Sequence, residues 1–179
     1  MRQLEEVGLL GDKAIRYGGP DQMIMVSGGP ASHLSQHSIL CGPSKRRFIV
    51  RQPTITPAPP HKPSKGEIYL TEQTQPLVGH VEEWKHGSWY HATSVFGETV
   101  SDLLERLQEL SDPKPFLPAP ANGLPTHPFW SGTLAYDLVQ WTQPIALQHP
   151  PKEGEILAVL WLIERFAAER KSDGCITSF

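Results

Sequence analysis

Apolar residues in this chain come in short runs separated by glycine and proline, and over most of the length the run lengths are strand-like. Gln22-Met23-Ile24-Met25-Val26-Ser27 is such a run. Gly18-Gly19-Pro20 precedes it and Gly28-Gly29-Pro30 follows it, which predicts a short buried strand between turns. His37 to Leu40, closed by Cys41-Gly42-Pro43, and Phe48-Ile49-Val50, preceded by Lys45-Arg46-Arg47, repeat the pattern. Three such runs in succession predict a meander of strands. Gly66 to Gly97 reads as antiparallel, with Lys85-His86-Gly87-Ser88 as a hairpin tip between Val81-Glu82-Glu83-Trp84 and Trp89-Tyr90-His91-Ala92, since glycine accepts positive φ. Val100, Leu103, Leu104, Leu107 and Leu110 recur on one helical face. Thr99 is placed to cap that helix, Asp102 sits in its first turn, and Ser111-Asp112-Pro113 ends it. Ile156 to Ile163 is continuously apolar, which suits a buried strand or a buried helix alike. Asp173-Gly174 is a further hairpin-turn signal. A hairpin feeding an amphipathic helix, in a chain otherwise made of short strands, predicts an α+β fold: a mostly antiparallel sheet with few helices.

The 179 residues suit one domain, so 1–179 is read as a single unit. A formal net charge of -3 argues against a general nucleic-acid binder. Two cysteines, Cys41 and Cys175, do not make a disulfide-stapled scaffold. No apolar run reaches the roughly 18–20 residues of a membrane span, and Met1 to Glu6 carries acids without the apolar core of a signal peptide. A cytoplasmic protein with no membrane partner is the expectation. Proline, at 18 residues, is about twice the usual share of roughly 5%. It is banded: Pro53 to Pro63 predicts an extended surface loop and Lys114 to Pro128 a second one.

Candidate chemistry is sparse. There is no phosphate loop, no dinucleotide fingerprint and no nucleophile elbow, and Ser27-Gly28-Gly29-Pro30 reads as a plain turn. His33, His37 and Cys41 are spaced four apart and on a helix would share a metal-binding face. The segment from Pro30 to Pro43 does not read as a helix and shows no fourth ligand, so no metal is assigned. Lys45-Arg46-Arg47 with Arg51 is a small basic cluster, read as a solvated turn. Asp137, between apolar neighbours, is read as a structural brace. No catalytic residue is assigned.

Pro128-Phe129-Trp130-Ser131-Gly132-Thr133-Leu134-Ala135-Tyr136-Asp137-Leu138-Val139-Gln140 resembles a motif of component I of anthranilate synthase and aminodeoxychorismate synthase. That family reads Pro-Phe-x-Gly-Gly, a short apolar stretch, then Gly-Tyr-x-x-Tyr-Asp-Leu-Val-Arg. Here the intervening stretch is shorter and Gln140 stands at the Arg. Ile24-Met25-Val26-Ser27 resembles the family's Leu-Leu-Glu-Ser strand, and Leu34-Ser35-Gln36-His37-Ser38-Ile39-Leu40 its Leu-Ser-Arg-Tyr-Ser-Ile stretch. The matches keep the family's order and cover roughly residues 20 to 170.

The resemblance implies the N-terminal lobe of the anthranilate synthase component I α/β sandwich. It places chorismate, Mg²⁺ and every catalytic residue in a C-terminal chorismate-binding domain that these residues do not contain. No cofactor is therefore expected in this chain, and its implied partners are that domain, separately encoded or missing, and a glutamine amidotransferase subunit supplying ammonia. The chain is expected to be inactive alone, as a fragment or split subunit of an enzyme in tryptophan or folate biosynthesis. The resemblance further implies a tryptophan-like effector site at Met25, Val26 and Ser27. Val26 stands where the family has Glu, and an apolar side chain offers no partner to an effector's ammonium group.

The rival expectation is a stand-alone amino-acid or protein binding module, without catalysis, using the Ser27 strand and exposed aromatics such as Trp84, Trp89 and Trp130. A small metalloprotein built on His33, His37 and Cys41 is a third. In the family a strand like Ile156 to Ile163 lies in a shared sheet, so an isolated lobe is expected to expose part of that apolar surface.

Overall fold

The computed structural model describes residues 24–25, 32, 35–53, 76–111, 124–125, 128–142, 149 and 151–178. In chain order these form β1 (Ile24–Met25), β2 (His37–Cys41), β3 (Arg46–Arg51), β4 (Leu77–Lys85), β5 (Ser88–Gly97), α1 (Val100–Glu109), β6 (Phe129–Leu134), a 3₁₀ helix (Tyr136–Trp141), β7 (Ile156–Ile163), β8 (Phe166–Arg170) and β9 (Ile176–Ser178). The class is α+β, dominated by antiparallel sheet with few helices. Two compact units are present, and the boundary between them falls within β6 and β7.

The first unit carries a four-stranded sheet in the order β1-β2-β8-β9, antiparallel throughout. Alternation along β2 and β8 turns Ile39, Cys41, Phe166 and Ala168 to one face. There they form a core with Ile163, against which Leu124, Phe129 and Trp161 pack. Phe129 and Phe166 meet edge-to-face, with ring centroids 5.7 Å apart. The turn between β8 and β9 is wider than the Asp-Gly pair suggests. Gly174, at φ 70°, donates its N–H to Arg170 O at 2.7 Å, and Asp173 accepts from the Cys175 N–H and from Arg170 Nε, each at 3.0 Å.

The second unit holds the sheet ordered β5-β4-β3-β7-β6. Its hairpin turns where the sequence places it. His86 and Gly87, at φ 51° and 80°, are the two central residues of a type I′ turn, whose twist matches the flanking strands. The register runs Val81↔Thr93 and then Glu82↔His91, so Ala92 is an extra residue, a β-bulge. Helix α1 packs on β5 and β4 with Leu103 and Leu107 buried. Thr99 Oγ1 accepts from the Asp102 N–H at 3.1 Å, and Asp102 Oδ2 accepts from the Glu98 N–H at 2.9 Å, a reciprocal cap. That Glu98 N–H, with Arg106 beside it, holds the Asp102 carboxyl below the usual carboxylate range. Leu110 departs from the expected apolar stripe: it is the C-cap, past the last helical residue, and is exposed.

One expectation is corrected, and one open choice is resolved. The three N-terminal runs are not one meander. β2 pairs with β1 and with β8 from the far end of the chain, whereas β3 lies between β4 and β7. Gly42, whose N–H donates to Arg165 O at 2.8 Å, starts the link that takes the chain from one sheet to the other. Ile156–Ile163 is a strand lying between two others in its sheet, and apart from Ile156 it is buried or half-buried. A strand covered on both faces has no alternation, which is why its sequence pattern left helix and strand open. Among the described residues no helix is long and apolar enough to cross a membrane.

Gly97 sets how closely α1 approaches β5. A Cβ there would lie 2.6 Å from the Leu103 nitrogen, which is helix backbone and has no room to yield. Gly97→Ala is expected to lower stability by about 1–3 kcal/mol, the usual cost of overpacking, read as a lower urea midpoint. An unchanged midpoint would contradict the packing described.

Candidate functional site

The residues of the expected effector site, Met25, Val26 and Ser27, lead to the first unit's sheet. β1 pairs with β2 through Ile24↔Leu40 and Met25↔Ile39, so the strand carrying Met25 runs beside the strand carrying Ser38. Val26 and Ser27 lie outside the described residues. On its other side β2 meets β8, with Ser38 directly opposite Glu169. Such cross-strand partners have Cβ atoms about 5 Å apart and share a face. That face also carries Leu40 and is opposite the one bearing Cys41, Phe166 and Ala168.

The polarity of this pair is unusual for a strand interior. Ser38 is 1% exposed and its hydroxyl has no hydrogen-bond partner; Glu169 is 7% exposed. A buried hydroxyl such as that of Ser38 is normally satisfied, because leaving it dry is costly. Lys171, just past β8, is held at the same end of the β2–β8 pair: its N–H donates to Gln36 O and its Nζ to Ser35 Oγ, both at 2.8 Å. A carboxylate, an open hydroxyl and an ammonium group at one end of a sheet form a set complementary to a zwitterion. Sequence reasoning missed Glu169 and Lys171 because Glu169-Arg170-Lys171 reads as a solvated charge run. The usable signal was Phe166-Ala167-Ala168 before it, a short apolar strand in which Glu169 continues the alternation.

The other candidate residues fare differently. His37 and Cys41 are the ends of one strand, about 13 Å apart at the usual rise per residue, too far to share a metal ion. His33 lies outside the described residues. Among those described, no group of three His, Cys, Asp or Glu side chains is gathered. Cys41 is fully buried, and burial pushes its thiol up to about 11. It therefore stays protonated and packs as a small apolar group. Asp137 sits in the 3₁₀ helix, where its carbonyl accepts from Gln140 Nε2 at 3.1 Å.

The basic cluster is not a solvated turn: Arg46, Arg47 and Arg51 belong to β3, and only Lys45 stands in the exposed bend before it. Arg47 Nε lies 2.6 Å from Glu82 Oε2, Arg46 Nε lies 3.1 Å from Glu83 Oε1, and Arg51 Nη1 donates to Gly154 O at 3.0 Å. Lys85 first, and Arg46 after it, hold the Glu83 carboxyl below its ordinary range. Trp84, Trp89 and Trp130 are half-buried, not exposed. Trp84 and Trp89 shield each other edge-to-face with centroids 5.2 Å apart, and the Arg47 guanidinium lies 4.3 Å from the Trp89 ring centroid.

One arrangement in the second unit had no sequence signal. Ser94 Oγ lies 3.1 Å from His80 Nδ1 and 2.9 Å from His91 Nε2. A hydroxyl has one proton, so one imidazole accepts it and the other donates to the oxygen. Residues three apart on a regular strand face opposite ways. The bulge at Ala92 is what brings His91 onto the face of Ser94, and a bulge leaves no local trace in composition. The arrangement ties β4 to β5.

The thiol chemistry yields a direct test. Cys175 is exposed and should react at once with a thiol reagent in the native protein, while Cys41 reacts only after unfolding. A folded-state pKa near 11 against an ordinary value near 9 also makes the Cys41 contribution to stability complete below about pH 9. It is lost as pH rises from 9 through 11, and Cys41→Ala should flatten that stretch of a melting-temperature profile. Two native thiols reacting equally fast would contradict the burial of Cys41.

In comparisons with known proteins, the chain matches no family model, no curated protein and no solved structure.

Proposed function

We propose that this chain is the N-terminal, effector-type lobe of a component I that aminates chorismate to anthranilate or aminodeoxychorismate. The observation that carries this reading is the antiparallel pairing of Ile24–Met25 with Ile39–Leu40. These are the two stretches that resemble the family's Leu-Leu-Glu-Ser and Leu-Ser-Arg-Tyr-Ser-Ile segments, and here they are adjacent strands of one sheet. In this reading chorismate and Mg²⁺ belong to a chorismate-binding domain outside these 179 residues, ammonia comes from a glutamine amidotransferase partner, and the setting is cytoplasmic.

The lobe's own task is to bind an α-amino acid, with tryptophan the first candidate. Glu169 faces the ligand's ammonium group, in place of the carboxylate lacking at Val26, and the buried Ser38 hydroxyl supplies a hydrogen bond that has no other partner. Lys171 stands at the same end of the sheet to meet the ligand's carboxylate. The same groups equally suit a stand-alone amino-acid binding module. The two readings differ in whether occupancy changes the turnover of chorismate.

Calorimetric titration of the full chain with L-tryptophan, then with the other α-amino acids, checks this. One of them should bind saturably, and its deaminated analogue should not. Glu169→Gln should weaken binding at least about tenfold, the scale of one charge-assisted hydrogen bond, with the circular dichroism spectrum unchanged. Absence of saturable binding by any amino acid, or an affinity untouched by Glu169→Gln, would contradict the assignment.

A further inference from the structure

The strand order of the second unit leaves β5 at one end of its sheet. It is ten residues long, carries no proline, lysine or arginine, and has no strand on its outer side among the described residues. An edge of that length presents a row of backbone N–H and C=O groups that seek partners, and natural proteins usually blunt such edges with charge, proline or cover. The single bulge at Ala92 lies upstream of Thr93–Phe96, so the downstream half of the strand is regular.

Along that half runs a groove of about 540 Å³, formed by Thr93–Phe96 on one side and the exposed flank of α1 on the other. Phe96 and Leu110, both exposed, are apolar anchor points in it. Its charge is one-sided. Arg106 is taken by Asp102, with Nε 2.9 Å from Oδ1. Glu105 and Glu109, one helical turn apart and both exposed, are left as a like-charged pair on the groove wall.

We infer that the outer edge of β5 is a docking site for an extended, basic segment of a partner protein, which joins the sheet as an added strand along the groove beside α1. Backbone pairing supplies affinity, and alternate side chains supply selectivity: cationic positions on the α1 side reach Glu105 and Glu109, and the positions between them lie on the face of Phe96. A second copy of β5 is the poorer occupant, because its ten residues bring no cation to the two glutamates. The inference stands apart from the effector reading, since every residue it uses lies in the second unit.

The test uses the full chain and a fluorescein-labelled Lys-Val-Lys-Val-Lys-Val peptide, followed by fluorescence anisotropy. Saturable binding is expected. Methylating alternate backbone nitrogens of the peptide should abolish it, and the Glu105→Gln/Glu109→Gln variant should bind at least tenfold more weakly while melting at an unchanged temperature. Amide exchange at Thr93–Phe96 should slow in the complex. Equal binding by the methylated peptide would reduce the effect to charge adsorption and overturn the inference. So would a lack of saturation, or a dimer of the chain paired through β5 that the peptide does not dissociate.

Discussion

Antiparallel pairing of β2 with β8 is the constraint on which the first unit depends. It joins residues 37–41 to residues 166–170 across most of the chain, and one register serves both faces of the sheet. On one face it lines up Cys41 with Phe166 and Ile39 with Ala168, which form the core. On the other it sets Ser38 against Glu169. A slip of one residue would put Cys41 and Phe166 on opposite faces and separate the polar pair at the same time. Core packing therefore holds the candidate binding groups in place, and the turn from β8 into β9 is fixed separately by the local hydrogen bonds of Arg170, Asp173 and Gly174.

The second unit rests on more local interactions. The type I′ turn at His86-Gly87 fixes the β4–β5 register, and the Ala92 bulge then adjusts it so that His91 and His80 converge on Ser94. Capping by Thr99 begins α1 immediately after β5, and Gly97 lets the helix backbone close onto the strand. The same short connection that packs the helix over the sheet leaves its acidic flank beside an open strand edge. Packing thus accounts for the groove, and the groove's charge comes from which helix positions lie outside the buried pair Leu103 and Leu107.

Legibility in the sequence follows the range of the interactions. Helix α1 is readable because its cap, its apolar period and its stop lie within about three turns of each other. The hairpin is readable because glycine at position 87 follows a residue that tolerates positive φ. Ile156–Ile163 is half readable: its burial shows, but a strand covered on both faces carries no period. The β2–β8 pairing is not readable at all, because nothing in His37–Cys41 names a partner so far away along the chain. Glu169 is hidden for the same reason, since its burial comes from that pairing while its neighbours Arg170 and Lys171 advertise solvent. Of the expected effector residues, Met25 has a defined strand partner in Ile39, and the pairing points from it to Ser38 and Glu169, which the motif alone does not name.

In the proposed reading, a chorismate-binding catalytic domain responds to the occupancy of the polar set formed by Ser38, Glu169 and Lys171. The most direct test is to capture the native protein from its own cells through an antibody to these 179 residues, sequence what is recovered, and assay it with chorismate, ammonium and Mg²⁺. The account predicts a chorismate-binding domain, in the same polypeptide or in a stoichiometric complex, and formation of anthranilate or aminodeoxychorismate that the bound amino acid alters. Recovery of a 19.9 kDa species with no such domain and no turnover of chorismate would contradict it.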